Sequence, residues 1–173
     1  FLDYFAELHA EVPDEANIEP QLLPGEDGDV VALVEITWCG DHAIGEKVLA
    51  PMLAHPDYVE GQLTSFPYRT IQTSADEFLG HGRQYYLKSG LLQDLTPDAI
   101  DVIAEFAERG EVASWFQHLG GVTARIANDA TAYTHRDAAL NFGIMYIGDG
   151  PAHHEAGLSN VREFYSGMEP QMT

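Results

Sequence analysis

Lysine is nearly missing from this sequence. Lys47 and Lys88 are the only two, and lysine and arginine together number eight against twenty-eight acids, a net charge of −20. Such a surface repels nucleic-acid phosphate and anionic lipid headgroups, so neither is expected as a partner. Cysteine is scarcer still. Cys39 stands alone, which excludes an internal disulfide framework and a cysteine-based zinc site, and its place at a strand end reads as structural. No apolar run reaches the length of a membrane span. Several catalytic signatures are absent as well. There is no G-x-G-x-x-G, no Walker lysine, no G-x-S-x-G and no H-E-x-x-H, so a phosphate cradle, a serine-hydrolase triad and a zinc site all lack local support. The adjacent His153 and His154 point in different directions at a helix start. The chain opens on Phe1 without a methionine, so the absence of a visible secretory signal carries little weight; the expected location is cytoplasmic.

What is present is a chain with 45% apolar residues over 173 positions, enough for one domain with a true core. The acids are scattered over helix faces and turns rather than gathered in a tail. At low salt they repel one another and oppose the compact state. At molar salt the repulsion is screened while the carboxylates stay hydrated. Scattered acids with scarce lysine therefore read as the surface of a halophile's protein.

Periodicity supplies the elements. "FLDYFAELHAEVPDE" carries Phe1, Phe5 and Leu8, with Leu2 and Ala6, on one helical stripe that Pro13 ends. "IEPQLLP" is short and extended, "GEDGD" turns, and "VVALVEITWCG" is a β-branched strand. Asp41 caps the helix "HAIGEKVLAPMLAH", in which Ile44, Val48 and Met52 repeat and Pro51 predicts a kink or an early end. Residues 56–82 are mostly loop with one helical patch. "RQYYLKSGLL" is a strand. "TPDAIDVIAEFAERG" is the clearest helix: Thr96 caps it, Pro97 and Asp98 suit its first turn, Ile100, Ile103 and Phe106 form its inner stripe, and Gly110 stops it. "VASWFQHLGG", "VTARIAN" and "LNFGIMYIG" read as three strands in succession. "HHEAGLSNVREFYSGM" closes as a helix with Leu158, Val161 and Phe164 or Tyr165 inward. Successive strands without helices between them imply antiparallel pairing. The expected fold class is α+β, a largely antiparallel sheet with helices on one face and the other face open.

The chemistry candidates are polar residues set in apolar strands. Tyr86 and Lys88 share one side of their strand, Trp115 and Gln117 one side of theirs, and Asn141 shares a side with Gly143. Aromatic area with two amides and an amine is what a ligand wall needs. The three pairs are expected on one open face, with Tyr85, Phe116 and Phe142 under the helices. Burying Lys88 or Gln117 beneath helices without partners would cost roughly 1–3 kcal/mol or more each. Each residue also has a plainer reading: Lys88 at the solvent edge, Gln117 and Asn141 bonded to nearby loops.

"GEKVLAPM", "FPYRTIQ", "GRQYYLKSGLL", "HLGG" and "THRDAALNF" follow one another in the order seen in berberine-bridge-enzyme-like FAD-linked oxidases. Over nearly its whole length the chain resembles the substrate domain of that family. The resemblance implies a substrate-binding domain over residues 1–173, a fragment of a larger flavoprotein, whose open face covers the flavin ring of FAD held by a missing FAD-binding domain. It implies oxidation of a C–H bond next to oxygen or nitrogen in a small sugar, alcohol or amine-like molecule, with Tyr86, Lys88, Trp115, Gln117 and Asn141 as the substrate wall. The isolated chain is then expected to be inactive and to associate through its uncovered face. Relatives carry a Gln or Glu in the strand after His-Arg that can act as base. The matching slot here lies near Gly143, between Phe142 and Ile144, and holds neither, so no catalytic residue is assigned. His135 and Arg136 read as loop and strand-entry residues that anchor their segment. The rival class is a stand-alone α+β module that binds a ligand or dimerises without catalysis.

The charge makes a first prediction. Melting temperature should rise steeply as KCl is raised into the molar range. A melting temperature that is flat or falls over that range would count against a halophilic surface.

Overall fold

The computed structural model describes residues 1–25, 27–61, 63–150 and 153–173. Glu26, in the turn "GEDGD", lies outside the described residues. In chain order the elements are α1 (Leu2–Leu8), β1 (Ala16–Pro24), β2 (Val30–Trp38), α2 (His42–Leu53), α3 (Tyr68–Gln72), β3 (Gln84–Leu92), α4 (Pro97–Glu108), β4 (Ala113–His118), β5 (Leu140–Gly148) and α5 (His154–Met168). The strands form one sheet in the order β2-β1-β4-β5-β3, and every pairing is antiparallel. The α+β class read from the sequence is the one observed.

Side chains alternate across a strand, so the register decides which residues share a face. Leu22 pairs with Ser114, Phe116 with Phe142 and Leu92 with Leu140. These positions, with Ile18 and Ile144, are almost fully buried and face Phe5 of α1, Ala99, Ile103 and Phe106 of α4, and Val161, Phe164 and Met168 of α5. A chain of phenylalanines runs through this core. Phe5 lies 6.1 Å from Phe116, Phe116 5.2 Å from Phe142, Phe142 5.5 Å from Phe164, and Phe164 stacks on Phe106 at 4.6 Å.

The ends of α4 follow its sequence signals. The Thr96 hydroxyl accepts from the Ala99 N–H at 3.2 Å, Pro97 needs no donor at the first position, and Gly110 leaves in the left-handed region at φ 64°. Asp41 caps α2 as expected, accepting from Ile44 N–H at 3.1 Å.

Several expectations are corrected. "IEPQLLP" belongs to a nine-residue strand with partners on both sides. Pro20 within it has no N–H to donate, and the β1–β4 pairs begin at the next residue, Gln21. α2 buries Gly45 and Leu49 while Ile44 and Val48 are 55% and 41% exposed, because the Trp38 indole lies against Gly45, where a Cβ would overlap the ring. The helix also continues past Pro51 to Leu53. "VTARIAN" is not a strand; Thr123–Arg125 is a single tight turn, and Val122 and Ile126 are exposed. The alternation was real, but β4 already has β1 and β5 as neighbours, so no edge is free beside it. Cys39 is exposed just past β2 rather than packed.

Phe164 is fully buried and touches rings from both α4 and β5. Phe164→Ala should therefore cost about 3–5 kcal/mol in urea unfolding; a cost below about 1 kcal/mol would mean the core closes around the gap.

Candidate functional site

The face turned away from α1, α4 and α5 carries the odd-numbered positions of all five strands. Gln21, Trp115 and Gly143 form one row across β1, β4 and β5. Gly143 is what lets the Trp115 side chain lie flat on the sheet; a Cβ there would overlap the indole. In the neighbouring row Gln117 pairs with Asn141, and the Asn141 amide donates to Gln117 Oε1 at 2.8 Å. Carrying the Gln21–Trp115 register two residues along each strand puts Glu19 beside Gln117, and Glu19 pairs with Glu35 of β2. The row therefore reads Glu35, Glu19, Gln117, Asn141. Asn17 donates to Glu19 Oε1 at 2.7 Å. The apolar residues lie to one side of this row: Leu33, 45% exposed, pairs with Gln21 in the row of Trp115 and Gly143, and Leu87 (49%) and Tyr85 (39%) follow further along β3.

Burial pushes the half-buried Glu19 carboxyl above the ordinary glutamate range; the Asn17 amide pulls it partly back, and the negative charge of Glu35 pushes it up again. At the β2 edge the row opens into a cleft of about 520 Å³ between α2 and residues 63–74, lined by Glu35, Thr37, His42 and Phe66 among others.

Trp115, Gln117 and Asn141 lie together, as the sequence suggested, with Phe116 and Phe142 beneath the helices. Tyr86 and Lys88 do not join them. Tyr86 pairs with Tyr146 and Lys88 with Ile144, both core positions, so β3 presents Tyr86 and Lys88 to the helices and Tyr85 and Leu87 to the open face. The burial penalty that argued against this is avoided because β3 is an edge strand. Lys88 runs out over α5, with its ammonium 3.6 Å from the Tyr165 ring centroid, and the Tyr86 hydroxyl accepts from Arg162 Nε at 3.4 Å. Leu92, fully buried at the end of the same strand, fixes that parity.

Of the two residues expected to anchor their segment, Arg136 does so. The Arg136 N–H donates to Asn128 Oδ1 at 3.0 Å, and its buried guanidinium donates to Thr131 Oγ1 at 2.6 Å and lies over the Tyr133 ring. His135 is exposed in the left-handed region, φ 57°. Sequence reasoning missed Glu19 and Glu35. The signal was available: "NIEPQ" puts Asn17, Glu19 and Gln21 on one side of a strand, a polar stripe as regular as the apolar one behind it. A second cleft, at the helix side of the sheet end, gathers His9, Asp94, His118 and Arg136. His9 Nε2 lies 3.0 Å from Asp94, and burial, then the nearby His9, hold His118 below the usual imidazole range. Among the described residues no helix is long and apolar enough to cross a membrane, and no three His, Cys, Asp or Glu side chains gather as a metal site.

No protein-family model matches the sequence. The uncharacterized FAD-linked oxidoreductase YgaK of Bacillus subtilis (strain 168) is 30% identical over 100 residues, 55% of this chain and 22% of that protein. The structure of BBE-like #28 from Arabidopsis thaliana superposes on 99% of this chain at a TM-score of 0.73 and 16% identity, using 40% of its own length. Phl p 4, a grass pollen allergen with glucose dehydrogenase activity, superposes on 99% at 0.77 and 16% identity, using 38%. The chain has the fold that these proteins share over this stretch. It spans about a fifth of the curated relative and about two fifths of the solved chains.

The raised Glu19 carboxyl links the site to stability. An acid whose folded pKa lies above its unfolded value favours folding only while protonated; that advantage is lost as pH rises from the unfolded through the folded pKa. Glu19→Gln should therefore raise the melting temperature at pH 7 to 8 relative to wild type, and the gain should vanish toward pH 4. A gain that grows on acidification would contradict the shift.

Proposed function

We propose that this chain is the substrate-side domain of an FAD-linked oxidoreductase of the berberine-bridge-enzyme-like kind, with the FAD-binding part lying beyond these 173 residues. The observation that carries the reading is the open sheet face, an apolar and aromatic surface crossed by hydrogen-bonded amides, on a fold shared with BBE-like proteins over nearly the whole chain. The FAD-linked relative supports the cofactor.

The residues present fit one part of that cofactor. Leu33, Leu87, Tyr85 and Trp115 offer the apolar area that covers an aromatic ring system, and no strand position on the face carries Lys, Arg or His to hold a pyrophosphate. A flavin bound there would supply the acceptor for a hydride from a C–H bond next to oxygen or nitrogen. Trp115 would bound the substrate on its apolar side, Gln117 and Asn141 would orient its hydroxyl or amine hydrogens, and Gly143 would keep the indole low enough to admit it. Tyr86 and Lys88, turned to α5, would act on the wall only through the placement of β3. Sugars, alcohols and amines all belong to the substrate class. The acidic surface belongs to the same reading as an adaptation to high salt, and the uncovered face as a site of self-association in the isolated chain.

The reading predicts colour. This chain alone should purify colourless, and the protein extended through its flavin-binding part should carry stoichiometric FAD. Gln117→Ala in that protein should leave the flavin spectrum in place and lower kcat/KM about 10-fold or more, the loss expected for one substrate hydrogen bond. Flavin bound stoichiometrically to residues 1–173, or an extended protein without flavin, would refute the assignment.

A further inference from the structure

We propose that Glu19 is the proton acceptor of this face, taking the hydroxyl proton of an uncharged alcohol or sugar as its C–OH group is oxidised to C=O. The inference rests on the flavoprotein reading above and deepens it. In that step the substrate loses a hydride from carbon to the flavin and a proton from oxygen to the Glu19 carboxylate. The C=O bond forms and Glu19 is left neutral, so electrons and protons balance.

Placement comes first. Glu19 stands in the row of Gln117 and Asn141, one row from Trp115, so it borders the proposed wall on the β1 side. Asn17 holds one carboxylate oxygen at 2.7 Å, and the other has no hydrogen-bond partner among the described residues. One oxygen fixed and one free is the arrangement that positions a base without quenching it.

Charge comes second. On the strand positions of this face the carboxyl groups are Glu19 and Glu35. Glu35 is exposed at the edge, whereas Glu19 is half-buried. No cation on the face locks Glu19 in its ionised form, and burial together with Glu35 moves it toward the neutral range, where a base works best. The groups around it are few: Glu35 faces it from β2, His42 and Glu46 of α2 line the cleft beyond Glu35, and β4 presents the uncharged Trp115 and Gln117. The same lack of cations disfavours an anionic substrate, so neutral hydroxyl compounds are selected over their carboxylate counterparts.

Two measurements test this. In residues 1–173, carboxyl-carbon NMR should show Glu19 titrating above the ordinary glutamate range and shifting down in Glu35→Gln. In the flavin-bearing protein, anaerobic flavin reduction is followed against pH with D-glucose, D-galactose and benzyl alcohol, and with glucuronic and galacturonic acids as anionic counterparts. At least one neutral compound should reduce the flavin, and faster than its uronic acid. Glu19→Gln should slow reduction about 10²–10⁴-fold and remove the acid limb of the profile. Glu19→Asp should restore that limb at a lower rate, and Glu35→Gln should move it to lower pH. Flavin content and melting temperature report that each variant is folded. Wild-type reduction by Glu19→Gln with an unchanged limb overturns the proposal, as does a Glu19 titration that Glu35→Gln does not move. Reduction by none of the neutral compounds overturns the substrate class. A wild-type protein without flavin instead brings down the flavoprotein reading itself.

Discussion

Phe164 sits between Phe106 and Phe142, and through Phe142 and Phe116 its contacts reach Phe5 on the first helix. That line of rings crosses the molecule from α1 through the middle of the sheet to α5 and α4. Its five members anchor three helices to one face of two central strands, and aromatic pairs add to the burial of their area. Everything on the other face follows by parity. If Phe116 and Phe142 point to the helices, Trp115, Gln117, Asn141 and Gly143 point away from them. The polar wall is positioned by the core behind it, and a register slip of one residue would exchange the two.

The same parity explains what the sequence made legible. On β4 and β5 each face has a distinct chemistry, large apolar rings on one side and amides with Trp115 and Gly143 on the other, so the faces could be told apart from residue types alone. The α4 helix was legible for another reason: its cap, first turn, stripe and terminal glycine all agree. β3 was not. "YYLKSGLL" has an aromatic and an aliphatic on each side, and the deciding residue looked to be Lys88. At an edge strand that rule weakens, since a long side chain can leave the core sideways and rest on Tyr165. Leu92 was the better witness, but only the tertiary structure tells that it is fully buried. "VTARIAN" failed similarly. Alternation shows that a segment could pair, and says nothing about whether a neighbouring edge is free.

Five of the six arginines have internal partners. Arg109 bridges Glu105 and Glu163, tying α4 to α5; Arg125 pairs with Asp14 and Arg83 with Asp149; Arg136 organises the loop before β5; Arg162 reaches Tyr86. Exposed pairs of this kind each contribute little to stability, because solvent screens them. Their consequence is distributional. With these five arginines tied to neighbouring elements and Lys88 laid on α5, no strand position on the open face sets a cation beside its carboxylates. The chain carries a net charge of −20, so long-range attraction would draw cations and leave neutral molecules unaffected, while anions are turned away.

The open face thus joins two constraints that pull in different directions. In the proposed role it would have to be apolar enough to lie against a ring system, for which Leu33, Leu87 and Trp115 are available, and to keep a carboxylate wet enough to ionise. Placing Glu19 next to Glu35 reconciles them. The row runs from the Gln117–Asn141 amide pair to the cleft at the β2 edge; Glu19 is half-buried while its neighbour is exposed. A carboxyl at the buried Gly143 position would displace the indole and meet a desolvation penalty. Gly143 can hold no side chain without moving Trp115, so an acid on this face has to come from a strand position clear of the indole. Glu19, on the polar stripe of β1 and in the row next to that of Trp115, meets that condition.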